Sequence, residues 1–132
     1  MEELIEQWLN FAVQDFDVAK HLYDQYYPRP LEIICYHSQQ AAEKAIKAVI
    51  LSCGAPGGLP KSHDLVFLLN QVKNQVNVEN IYPAAQILTP YGVMTRYPGE
   101  MDVEEHNARR AVDYAGIILD WARENVKRES AE

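Results

Sequence analysis

Cysteine is scarce in this chain: Cys35 and Cys53 are the only two among 132 residues. They form no CxxC pair, and each falls inside an apolar stretch where a free thiol behaves as a small hydrophobe, so both are expected to be reduced core residues. Long apolar runs are also missing. No window approaches the roughly 20 residues a bilayer span needs. The opening Met1-Glu2-Glu3-Leu4 has neither the basic start nor the apolar block of a signal peptide, so no membrane association and a cytoplasmic location are expected. Positive charge is in deficit, with 12 Lys and Arg against 19 Asp and Glu and a net charge of −7. That field repels long DNA and other extended phosphate backbones, but it leaves room for a local basic pocket. Any nucleotide site must therefore rest on particular clustered side chains.

Catalytic signatures are sparse too. Gly57-Gly58 lacks the following Lys-Ser/Thr of a phosphate loop, and GxSxG, HExxH and Cys-His patterns are absent. Asp102, Glu105 and His106 could in principle meet a metal, but a helix-capping role accounts for the first two, so no metal and no cofactor are expected. Alternating strand patterns, internal repeats, low-complexity tracts and a dividing linker are missing as well. A chain of this length can bury about two thirds of its unfolded surface, and residues 1–132 are read as one domain.

What is present is helical periodicity. Leu4, Ile5, Trp8, Ala12, Phe16, Ala19, Leu22 and Tyr23 recur at steps of three and four, predicting a helix from Leu4 to about Tyr26. Pro28-Arg29-Pro30 ends it, and Pro30 suits the first turn of a second helix running from about Leu31 to Cys53, with Gly54 as its stop. After a Pro- and Gly-rich loop, Ser62 is the expected cap of a third helix. That helix has Asp64 in its first turn, a stripe of Leu65, Leu68, Leu69 and Val72, and an end near Asn74. A fourth helix from about Asn80 tolerates Pro83 in its first turn, is interrupted or kinked at Pro90, and ends at Pro98-Gly99. Asp102 with Glu105 reads as a capping box for a fifth helix that reaches about Lys127, with Ala108, Ala111, Val112, Ala115, Ile118, Leu119, Ala122 and Val126 on its buried side. The expected architecture is all-α, a five-helix up-and-down antiparallel bundle with the first, second and fifth helices as its body.

On the second helix, His37, Gln40, Lys44 and Lys47 fall within an arc of roughly 80°. Ile34, Ala41, Ala42, Ala45, Ile46, Ala48 and Val49 occupy the remaining face. Lysine offers a point charge to phosphate, and Gln and His can bond to a base or ribose. The plainer explanation is a solvated face on which Glu43 and Lys47 form an i,i+4 pair worth tenths of a kcal/mol.

The block His37-Ser38-Gln39-Gln40-Ala41-Ala42-Glu43-Lys44-Ala45-Ile46-Lys47-Ala48 resembles the second-helix signature of the HEPN family (higher eukaryotes and prokaryotes nucleotide-binding). Ser62-His63-Asp64-Leu65, Thr95-Arg96-Tyr97-Pro98 and an alanine-rich last helix follow in the family's order, and the opening Trp8, Ala12, Asp15 and Ala19 pattern is also similar to it. The resemblance implies a five-helix bundle, often a homodimer, that binds a nucleotide, RNA or a nucleotide-bearing substrate. It also implies a minimal nucleotidyltransferase as partner, in a toxin–antitoxin or substrate-binding pair. The implied site is His37, Gln40, Lys44 and Lys47 with His63, Arg96 and Tyr97.

Many members are metal-independent ribonucleases in which an Arg is closely followed by a His near the start of the last helix. Here nine residues separate Arg96 from His106, and Pro98-Gly99 intervene. A ribonuclease using Arg96 with His106 or His63 is therefore the second expectation. His106, Arg109, Arg110 and Asp113 are read first as an exposed, salt-linked face. A structural interaction module built on Tyr26, Tyr27, Tyr82 and Tyr91 is the third.

Overall fold

In the computed structural model, which describes residues 2–54, 57–93 and 102–127, every regular element is helical. The five α-helices are α1 (Glu2–Gln25), α2 (Leu31–Ser52), α3 (Leu65–Asn70), α4 (Tyr82–Leu88) and α5 (Glu105–Asn125). Short 3-10 turns at Glu79–Ile81 and Thr89–Gly92 flank α4.

The middle of the molecule is α2, which packs most extensively on α1 and next on α5. Its predicted apolar face is buried throughout: Ile34, Ala41, Ala42, Ala45, Ile46, Ala48 and Val49 have no exposed surface. The alanines let neighbouring backbones approach, while each buried Ile or Val contributes about 1.5–3 kcal/mol. Ala12 and Ala19 on α1, and Ala108, Ala111, Ala115 and Ala122 on α5, do the same from the other side. Leu9 belongs to the core of α1, whereas Leu4, expected in the stripe, is 44% exposed.

The five-residue connection after α1 turns the chain back on itself, so α1 and α2 are antiparallel. By contrast, α5 runs alongside α2 in the same direction. Arg29, just before α2, reaches Glu105 at the start of α5, and Ser52 at the end of α2 accepts the amide of Lys127 just beyond α5. Arg29 also stacks over Tyr23 and bonds to its carbonyl, which holds the α1–α2 connection against α5.

The helix ends show which local signals prevail. Gly54 adopts φ +75°, the left-handed conformation that closes a helix, and its amide bonds to Leu51. The cap of α3 is Asp64 rather than Ser62. The Asp64 carboxylate accepts from the amides of Val66 at 3.0 Å and Phe67 at 3.2 Å, and Ser62 Oγ takes the amide of Asp64 itself. An ionised acceptor at the positive end of a helix outcompetes a neutral hydroxyl. α3 also ends early, at Asn70, and continues as tighter turns that keep Val72 buried.

The N-cap of α5 is likewise shifted, from Asp102 to Glu104, whose amide is accepted by Asn107 Oδ1 at 2.9 Å. Pro83 sits in the first turn of α4 and Pro90 opens the 3-10 turn that follows it, as a missing amide proton demands. The cysteines are free, Cys35 buried and Cys53 half-buried. Burial pushes the Cys35 thiol up to about 12, against a hydrogen bond to Tyr91 that lowers it, so this thiol stays protonated and inert. No described helix is long and apolar enough to cross a membrane.

Candidate functional site

The antiparallel seam between α1 and α2 sets the site's geometry. Lys47 Nζ lies 5.9 Å from the Trp8 ring and Lys44 Nζ 5.9 Å from the Phe11 ring, so Trp8 is level with Lys47 and Phe11 with Lys44. Asp15, one turn beyond Phe11, is then level with Gln40. It reaches the residues one turn to either side, accepting from Lys44 Nζ at 2.6 Å and facing His37 Nδ1 at 2.8 Å.

A second carboxylate organises the other edge. Glu43 accepts from Lys47 Nζ at 2.9 Å and Gln39 Nε2 at 3.3 Å, and faces His63 Nδ1 at 2.9 Å. Gln39 also donates to the carbonyl of His63 at 3.0 Å and accepts from Gln40 Nε2 at 2.8 Å. The network is buried at its base, where Glu43 is 5% and Lys47 7% exposed, and open at its rim, where the His63 side chain is 66% exposed.

Each histidine therefore meets a carboxylate through Nδ1. A proton on Nδ1 satisfies that contact and leaves Nε2 as an acceptor, an arrangement that holds an imidazole in one orientation and tautomer. For Glu43, burial pushes the carboxyl up, but the hydrogen bonds from His63 and Lys47 outweigh it and hold the group below its ordinary value. Both lysines are paired, Lys44 with Asp15 and Lys47 with Glu43, so the two charges of the ridge are compensated within the fold.

The fold thus links His37, Gln40, Lys44, Lys47 and His63 along one stretch of surface, and neither an isolated ridge nor a simple solvated face describes them. Arg96 and Tyr97 lie outside the described residues. Gly92, four residues before Arg96, packs directly on the network: a Cβ there would stand 2.9 Å from Gln39 Nε2. His106 is elsewhere, on the first turn of α5, exposed and with Nδ1 3.5 Å from Glu104. Among the described residues it is not joined to the α2 network. Arg109, Arg110 and Asp113 are exposed, and among the described residues no ion pair joins them to one another or to His106, so the face is exposed but not salt-linked. No group of three or more metal-ligating side chains occurs among the described residues.

Sequence reasoning missed five participants, Trp8, Phe11, Asp15, Gln39 and Glu43. Asp15 and the rings of Trp8 and Phe11 share one face of α1, a signal present in their spacing at positions 8, 11 and 15. Gln39 lies at i,i+4 from Glu43, and Glu43 from Lys47, but the pattern alone left this relay looking like surface.

A comparison with curated proteins gives no match. Two crystal structures are similar over nearly the whole chain. TT1696 from Thermus thermophilus superposes with a TM-score of 0.80 at 27% identity, covering 95% of this chain and 99% of that one. ST0689, described as an archaeal HEPN homologue, gives 0.72 at 26% identity, covering 93% and 98%. The HEPN domain model matches residues 5–126, which takes in all five helices apart from the first turn of α1. With that match, the chain belongs to the HEPN domain family.

Proposed function

We propose that this HEPN protein binds a nucleotide or a nucleotide-bearing substrate on the polar face of α2. The observation that carries the proposal is two hydrogen-bonded clusters side by side on α2, one joining His37 and Lys44 through Asp15 and the other joining Gln40 through Gln39 to Glu43, Lys47 and His63. Two imidazole acceptors, the Gln40 amide and the Lys44 ammonium, held in place by these partners, are suited to the mixed polar chemistry of a base and ribose. The burial of Lys47 dictates the choice of test variants, since Lys47→Glu would place two carboxylates together in the core. Gln40→Ala and Lys44→Ala, both at half-buried positions, are better. Each is expected to weaken binding of AMP or a short oligoribonucleotide, measured by calorimetry, at least tenfold with the helical circular dichroism unchanged. Wild-type affinity in both variants would overturn the proposal.

The same proposal includes a homodimer and a minimal nucleotidyltransferase partner, in a toxin–antitoxin or substrate-binding pair. Light scattering of the purified chain tests the first. Co-purification with a nucleotidyltransferase encoded beside it tests the second, and separate elution of both chains would dismiss the pairing.

A metal-independent ribonuclease is the second proposal, and one observation favours a particular histidine for it. His63 is oriented by a buried carboxylate and opens to solvent, whereas His106 has only an exposed Glu104 at 3.5 Å. RNA cleavage in EDTA, lost on His63→Ala and on Arg96→Ala, is the expected result. Absence of cleavage at high protein concentration would dismiss it.

A further inference from the structure

Lys44 and Lys47 are each neutralised by a carboxylate at 2.6 and 2.9 Å, so this face of α2 offers a phosphate little net attraction. A nucleotide bound there must draw its affinity from its base. Beside the relay stands a ring suited to that task. Phe11 is 52% exposed although it lies on α1 directly against the polar network, with the Lys44 ammonium 5.9 Å from its centroid. Trp8, one turn earlier, is half-buried over Lys47 and completes an aromatic edge along the seam.

We infer that Phe11 is the stacking surface for an unpaired nucleobase, with Gln40 and His37 reading the base edge or ribose, so that this site recognises the nucleoside part of its ligand rather than its phosphate. The inference rests on the nucleotide-binding function proposed above. Base stacking on an aromatic ring tolerates any base and needs no net positive charge, which suits a chain of net charge −7.

Leu4 and Val18 lie seven residues to either side of Phe11 and are also exposed, which makes a second copy of this chain the competing occupant. Apolar docking there would cover the Lys44 and His37 side chains beside the ring, 27% and 28% exposed, and desolvating them without new partners is unfavourable. A base, whose edge carries donors and acceptors, supplies such partners.

The test measures binding of AMP, a fluorescein-labelled oligoadenylate and an abasic oligomer of the same length to wild type, Phe11→Ala, Phe11→Leu and Phe11→Tyr. Expected are a roughly 5- to 150-fold loss of affinity for AMP and oligoadenylate in the Ala and Leu variants, near-wild-type affinity in Phe11→Tyr, much weaker binding of the abasic oligomer, and a shallow dependence on salt. Phe11 is exposed, so the variants should fold, and circular dichroism checks this. Equal binding of the abasic and adenylate oligomers, or unchanged affinity in Phe11→Ala while Lys44→Ala abolishes binding, would overturn the stacking role and leave nucleotide binding standing. A change of oligomeric state in Phe11→Ala with binding intact would overturn it in favour of a second copy. Failure of the wild type to bind any probe would remove this inference and the proposed function together.

Discussion

Replacing Glu43 by Gln keeps the side-chain shape and removes one charge from the base of the site. Lys47, 7% exposed, would then hold a buried ammonium against a neutral amide, and His63 would lose its ionised partner. On a solvated helix face an i,i+4 Glu–Lys pair is worth about 0.3–0.5 kcal/mol. In a buried site the loss of one partner costs roughly 3–5 kcal/mol, because the remaining charge is stranded. Exposures of 5% for Glu43 and 7% for Lys47 put this pair in the second regime. The flexible lysine stem can swing its head toward the open rim, so the lower end, about 3 kcal/mol, is expected.

With a urea slope near 2 kcal/mol/M, that loss lowers the unfolding midpoint by roughly 1.5 M. For a chain of this size it lowers Tm by about 10 °C. Lys47→Met should cost a similar amount, while the double change Glu43→Met with Lys47→Met should cost less than either single variant, since no charge is then stranded. Urea melts of the four proteins, compared at constant slope, decide the matter. Single variants within about 0.5 kcal/mol of wild type would refute the assignment of a buried pair and return Glu43 and Lys47 to an ordinary surface.

Three more outcomes follow from the same geometry. Because Glu43 titrates below its ordinary value of 4.5 in the folded protein, its pairing stabilises fully above that value and is lost as pH falls through the lowered one. The stability gap between wild type and Glu43→Gln should therefore narrow in urea melts taken below pH 4.5, and a gap that widens on acidification would contradict the sign. Asp64→Ala should cost about 1 kcal/mol as the loss of a helix cap, and Ser62→Ala no more than about 0.5 kcal/mol, with thermal melts showing the order. Gly92→Ala must displace the fully buried Gln39 amide, which is held by Glu43 and the carbonyl of His63, so a loss of about 1–3 kcal/mol is expected. An unshifted Gln39 side-chain amide resonance in that variant would show that the turn yields instead.

Much of the fold was legible because it is written in short-range terms. The apolar stripes of α2, α3 and α5, the stop at Gly54, and the prolines at positions 83 and 90 each act within one or two helical turns, and all are found where the spacing places them. Helix starts were less legible, since Ser62, Asp64, Asp102 and Glu104 all have side chains able to cap, and the choice depends on which oxygen best meets the free amides.

For the site, the sequence by itself determined that His37, Gln40, Lys44 and Lys47 share one face of one helix, because 3.6-residue periodicity permits nothing else. It could not determine what that face meets. Only tertiary structure brought α1 alongside in the register that sets Asp15 between His37 and Lys44 and the rings of Trp8 and Phe11 against the two lysines. Only the return of the chain after α2 set His63 on Glu43 and made a surface-looking ion pair a buried one. The physical reason is that a helix's own spacing fixes directions around its axis, whereas charge compensation and desolvation depend on groups far away in sequence.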